Sequence, residues 1–237
     1  MTLPKIGIPS LELKLPSSGK DIKYRPFLVK EEKILLLALE SEDDAQITSA
    51  VKELLKNCVT SRIKVDDLPS FDLEYLFLKI RAASVGEVIN MKVTCQDDNV
   101  TQVDVDININ DVEIYKPEGH TNKIMLSDDT GIIMKYPSMK RFIEAEFLGK
   151  DLKTTEVFDF IADHIEQIFE EDAVYDSSTT TKKEFKEFID TLTIKQFEQV
   201  QKFYDTMPRL KHEFEVINPN TNIKSSYTIE GLQNFFA

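Results

Sequence analysis

At 237 residues with 41% hydrophobic content, the chain is long enough and apolar enough to bury a sizeable core. A formal net charge of −13 argues against nucleic-acid binding and against attraction to an anionic membrane. The two cysteines, Cys58 and Cys95, are too few for a disulfide framework and fit folding in a reducing cytoplasm. The longest apolar run, Ile34 to Leu39, is too short to cross a bilayer, and the N-terminus lacks the apolar stretch and cleavage site of a signal peptide.

Leu11, Leu13 and Leu15 alternate with charged residues, Pro16 to Gly19 supplies turn chemistry, and Ile22 and Tyr24 resume the alternation, which predicts a β-hairpin. A helix is expected from Lys30 to about Glu40; its "ILLLAL" is apolar all round, which predicts burial on most sides. A second helix is expected over Asp44 to Cys58, with Ile47, Val51, Leu54, Leu55 and Cys58 on one face, so Cys58 reads as a small core residue. In "DDLPSFDLEYLFLKIRAASVGEV", Ser70 is the expected N-cap, Leu73, Leu76, Phe77 and Ile80 share a face, and Gly86 is the stop. A strand through Met91, Val93 and Cys95 then turns into one through Val103, Val105, Ile107 and Ile109.

Another hairpin is predicted around Asp128 to Gly131, ending at Pro137. Helices are then expected over Lys140 to Leu148, Thr154 to Glu171, Lys182 to Leu192 and Thr193 to Tyr204. Thr181 with Glu184, and Thr193 with Gln196, have the spacing of capping boxes. A closing hairpin turns at Asn218 to Asn222. The organisation is therefore α+β, with short antiparallel hairpins and packed amphipathic helices. Residues 1–137 form an α+β region, and residues 138–237 a mainly helical region ending in a hairpin. A helix leading into a hairpin occurs twice, which suggests a duplicated unit.

Charge is uneven along the chain. Met1 to Asn90 carries 13 Lys+Arg and 14 Asp+Glu, a net of −1, whereas Asp151 to Asp190 carries 4 and 12, a net of −8. The second segment reads as a solvated helix face or as an acidic surface for a basic partner, with Asp163, Glu166, Glu170, Glu171 and Asp172 as candidate partner-binding residues. Phe235 and Phe236, at the C-terminus, read either as closing the chain's own core or as an anchor into a neighbouring subunit.

Motifs for catalysis are sparse. His120, His164 and His212 are scattered without metal or base spacing, and neither a nucleophile elbow nor a glycine-rich phosphate loop is present. "VTCQDDNVTQVDVDI", Val93 to Ile107, is the one stretch with several metal donors. Zinc wants paired Cys or His ligands, and Cys95 is followed by Gln96, Asp97 and Asp98; calcium wants a loop spacing that is missing here. "NPNTN" at Asn218 has the look of a ribbon knuckle without cysteine. These observations predict a non-enzyme without metal or cofactor.

"LPSSGKDIKYRPFLVKEEKILLLALES", "DLPSFDLEYLFLKIRAASVGEV" and "FYDTMPRLKHEFE", the last followed by "IEGLQNFF", occur in that order. Together they resemble the baseplate hub proteins of T4-like contractile-tailed bacteriophages. The resemblance implies a structural or assembly role, with other baseplate and hub proteins as partners and no catalytic residues. It implies a place in the virion tail after assembly in the host cytoplasm, as part of a larger oligomeric assembly. Some relatives carry cysteines at the hairpin turns where this chain has only Cys95, which speaks against an inherited zinc site. Two alternatives accompany this reading: an assembly chaperone absent from the mature virion, and a cell-wall hydrolase using paired carboxylates.

Overall fold

The computed structural model describes residues 7–41, 43–138 and 154–231. These contain β1 (Leu11–Lys14), β2 (Asp21–Tyr24), α1 (Val29–Glu40), α2 (Asp44–Cys58), α3 (Ser70–Val85), β3 (Val88–Thr94), β4 (Gln102–Asn108), β5 (Glu113–Tyr115), β6 (Lys123–Met125) and β7 (Thr130–Met134). They continue with α4 (Thr154–Asp163), β8 (Ile165–Glu170), β9 (Ala173–Asp176), α5 (Lys182–Asp190), α6 (Ile194–Asp205), β10 (Arg209–Ile217) and β11 (Lys224–Glu230). The class is α+β. All pairing is antiparallel, in sheets ordered β1-β2, β3-β4, β11-β10-β5 and β6-β7-β8-β9. The expected helix over 140–148 and the residues Phe235 and Phe236 lie outside the described residues.

The chain forms two compact units, one of residues 1–115 with 209–237 and one of residues 116–208. The boundary drawn from sequence at 137/138 falls inside the second unit, because the hairpin β6–β7 pairs with β8 to build that unit's sheet.

In the first unit, α2 buries Val51, Leu54, Leu55 and Cys58 along the predicted stripe. Helix α3 buries Phe71, Leu73, Leu76, Phe77, Leu78 and Ile80, and ends at Gly86, whose φ of +132° suits glycine. Ser70 does not cap α3: the N-cap is Pro69, without a side-chain hydrogen bond, and Ser70 is the buried first helical residue.

Helix α1 departs from expectation. Only Glu31, Leu35 and Ala38 are buried, while Val29, Leu36 and Leu37 are exposed at 79%, 53% and 56%. An apolar run without period does not say which sides are covered, and here one side is not.

The second unit closes around Ile132, Met134, Ile161, Ile165, Phe185 and Phe203. Both capping boxes form: the Thr181 and Thr193 hydroxyls accept the backbone N–H of Glu184 and Gln196, whose side chains return to the cap N–H at 2.7 and 2.9 Å. The helix expected from Thr154 to Glu171 stops at Asp163. His164 turns the chain, its Nδ1 at 2.7 Å from the Phe160 carbonyl, and its own carbonyl accepts the Lys135 N–H at 2.7 Å. Residues 165–170 then pair with β7 on one side and β9 on the other. Glu171 and Asp172 are the two-residue loop of that hairpin, with Glu171 at φ +49°.

Candidate interaction surfaces

Three hairpins close with the same bond, from the N–H of the turn's fifth residue to the carbonyl of its first. In β1–β2, the Gly19 N–H donates to the Leu15 carbonyl at 2.8 Å and the Leu15 N–H to Lys20 at 2.9 Å. In β3–β4, Asn99 donates to Cys95 at 2.9 Å and Cys95 to Thr101 at 2.7 Å. In β10–β11, Asn222 donates to Asn218 at 2.8 Å and Asn218 to Ile223 at 2.9 Å. The fifth residue of each turn has positive φ: +66° at Gly19, +55° at Asn99 and +61° at Asn222. That conformation favours Gly and tolerates Asn. The leading residues Leu15, Cys95 and Asn218 are all buried.

The tips of β3–β4 and β10–β11 meet. Asn218 Nδ2 donates to Asp97 Oδ1 and Oδ2 at 3.1 and 3.0 Å and to Asp98 Oδ2 at 2.9 Å. Thr221 Oγ1 donates to Asp97, and Asn220 Nδ2 to Thr101 Oγ1 at 2.9 Å. The Tyr227 hydroxyl donates to the Thr94 carbonyl and accepts the Gln96 N–H at 2.9 Å. The Asp98 carboxylate also accepts the N–H groups of Val100 and Thr101 and the Thr101 hydroxyl. The Thr101 hydroxyl and backbone donors hold the Asp98 carboxyl well below the usual range, and Thr221 with Asn218 lowers Asp97 despite its neighbour's charge.

This pair of tips carries one cysteine and two aspartates, not the four Cys or His ligands of a structural zinc site. Burial, then Asp97 and Asp98, push the Cys95 thiol up. Asn218 directs N–H groups, not lone pairs, at the carboxylates. Among the described residues, no group of three or more His, Cys, Asp or Glu is placed to hold a metal ion. The arrangement is a hydrogen-bonded clasp. The first tip is pinned differently: the Ser17 N–H and hydroxyl donate to Asp72 in the first turn of α3.

The histidines are structural in their contacts. In the second unit, Thr206 Oγ1 donates to the Lys202 carbonyl at 2.7 Å, so it can only accept from His120 Nδ1. His120 Nε2 lies 2.9 Å from the Tyr136 hydroxyl, and burial lowers the pKa of the ring. His164 is buried beside Phe160.

The acidic residues do not form one helix face. Asp163 ends α4 and pairs with Lys182 at 2.7 Å, while Lys186 pairs with Asp159 at 2.7 Å. Glu166 and Glu170 lie on β8 and Glu171 and Asp172 at its turn, all four exposed. Sequence reasoning missed the exposed side of α1, where Val29, Leu36 and Leu37 accompany Lys33 and Glu40. The available signal was that the run is apolar on more sides than a short helix can bury.

A family model described as T4 bacteriophage base plate protein matches residues 8–237. The chain belongs to that family. Neither a curated protein nor a solved structure matches it. As a baseplate protein it interacts with other phage baseplate proteins in the virion tail. Among its described residues, no helix is long and apolar enough to cross a membrane.

Proposed function

We propose that this baseplate protein is a structural component of the baseplate hub that positions neighbouring subunits during tail assembly in the host cytoplasm, and that it acts by binding, not catalysis. The observation that carries the reading is the apolar side of α1, left uncovered in the first unit of a chain whose family works inside a multi-protein assembly. An exposed apolar helix side is costly for an isolated protein and useful for one that docks. Glu166, Glu170, Glu171 and Asp172, exposed along and beyond β8, would steer a basic neighbour.

Mass spectrometry of purified phage particles tests this reading. A hub component is found in stoichiometric amount in mature particles. Absence from particles whose assembly requires the protein would overturn it, in favour of an assembly chaperone that leaves before maturation. Binding to the hub neighbour should weaken as salt rises from about 50 to about 300 mM, and more for the natural chain than for one with Glu170, Glu171 and Asp172 neutralised.

A further inference from the structure

The exposed side of α1 carries its own pattern. Leu36 and Leu37 sit at its middle, and Lys33 and Glu40 stand the same distance on either side, seven residues apart. Seven residues is close to two full turns, so Lys33, Leu36, Leu37 and Glu40 share one side of the helix. All four are exposed. The opposite side is used inside the first unit, through Glu31, Leu35 and Ala38. Lys33 and Glu40 make no ion pair among the described residues.

We infer that this side of α1 pairs with the α1 of a second copy of the chain, antiparallel, about a two-fold axis between Leu36 and Leu37. In that arrangement each Leu36 meets the other copy's Leu37, and each Lys33 meets the other copy's Glu40. An isologous interface must be self-complementary, and a positive and a negative residue placed symmetrically about an apolar centre meet that condition. A parallel pairing would instead set Lys33 against Lys33 and Glu40 against Glu40. The contact is small: a helix of 12 residues is about 18 Å long, so the patch falls below the standard interface size and the dimer is weak. The inference deepens the docking role proposed above by naming an occupant for the same surface.

Sedimentation equilibrium of the full chain, over about 1 to 500 µM at low salt, provides the test. A reversible monomer–dimer equilibrium is expected. Lys33→Glu and Glu40→Lys alone should each weaken it by about tenfold, because each creates two like-charge meetings across the axis. The double exchange should restore the natural affinity, and Leu36→Lys should abolish it. Both charge exchanges suit the helix dipole, a negative charge nearer the N-terminus and a positive one at the C-terminus, so the fold is preserved and circular dichroism checks this. A monomer at every concentration would overturn the inference, as would a dimer indifferent to Leu36→Lys or not restored by the double exchange. These measurements need no phage particle, so their failure leaves the virion result standing by itself.

Discussion

Helices α1 and α3 have similar raw material and opposite fates. Both are rich in Leu and Ile with little periodicity, and both bury one carboxylate in the first turn, Glu31 in α1 and Asp72 in α3. Yet α3 buries eight of its sixteen residues and α1 three of twelve. The difference is supplied by neighbours: α3 packs against α2, β5 and β10, whereas α1 packs chiefly against α2. Apolar content sets how much surface a helix wants covered, and the rest of the chain sets how much is.

The two leucine sets should separate the helices most strongly. Leu76, fully buried in α3, should cost about 3 kcal/mol when replaced by Ala, through lost transfer energy and the cavity left behind. Leu36→Ala, on the exposed side of α1, should change stability by less than about 0.5 kcal/mol. Urea denaturation of the two variants measures both. If Leu36→Ala approached Leu76→Ala at a concentration where the chain is monomeric, α1 would be covered in solution by some part of the chain itself.

The two buried carboxylates separate the helices again, because their pH dependences have opposite sign. Burial works against the charge on Glu31, but Arg25 at 3.0 Å, the Leu28 N–H at 2.8 Å and Lys30 outweigh it, holding the carboxyl below its ordinary range. Its stabilising contribution is present above the unfolded glutamate range and is lost as pH falls through the folded value. At Asp72 burial outweighs the two bonds from Ser17, and the carboxyl is raised. There the folded state holds its proton longer than the unfolded chain, so stability falls as pH rises through the carboxylate range. Glu31→Ala should cost about 2–3 kcal/mol at pH 7, since it strands Arg25 and uncaps α1. Asp72→Asn should be close to neutral at pH 7 and should remove the loss of stability seen in the natural chain as pH rises through the carboxylate range. Denaturation midpoints against pH for the three proteins check this, and parallel curves would refute it.

Much of this was legible in the residues. Alternation around a turn placed β1–β2 and β3–β4, the turn at Asn218 to Asn222 placed β10–β11, and the cap spacings placed α5 and α6. The segment after Asp163 was not, because Phe158, Ile161, Ile165 and Ile168 keep a helical spacing into β8. What ends the helix is pairing with β7 and β9, from residues about 35 positions earlier and a few later, and a local pattern carries no trace of that. β5 is three residues long and exists only because β10 pairs with it. The clasp was half legible: "CQDDN" and "NPNTN" each read as a turn, but the meeting of Asn218 with Asp97 and Asp98 spans 121 and 120 residues.

The hairpin tips extend the contrast to a smaller scale. The tip of β1–β2 is fixed to α3 through Asp72, and the other two are fixed to each other through Asn218. Asn218→Ala removes the amide between the two aspartates and should lower the melting temperature by a few degrees, less than either Leu76→Ala or Glu31→Ala, because the carboxylates at this edge regain water. Acid should act in the same direction on the natural chain. Asp97 and Asp98 have lowered pKa values, so the clasp is intact at neutral pH and is lost as pH falls through their folded values. Hydrogen exchange at Gln96, Val100 and Thr101, whose N–H groups bond to Tyr227 and Asp98, reads this directly. Faster exchange at Gln96 in Asn218→Ala, with Val100 and Thr101 unchanged, would show that the tip keeps its own turn and loses only its hold on the neighbouring hairpin. Unchanged exchange at Gln96 would mean that Tyr227, Thr221 and Asn220 join the tips without Asn218.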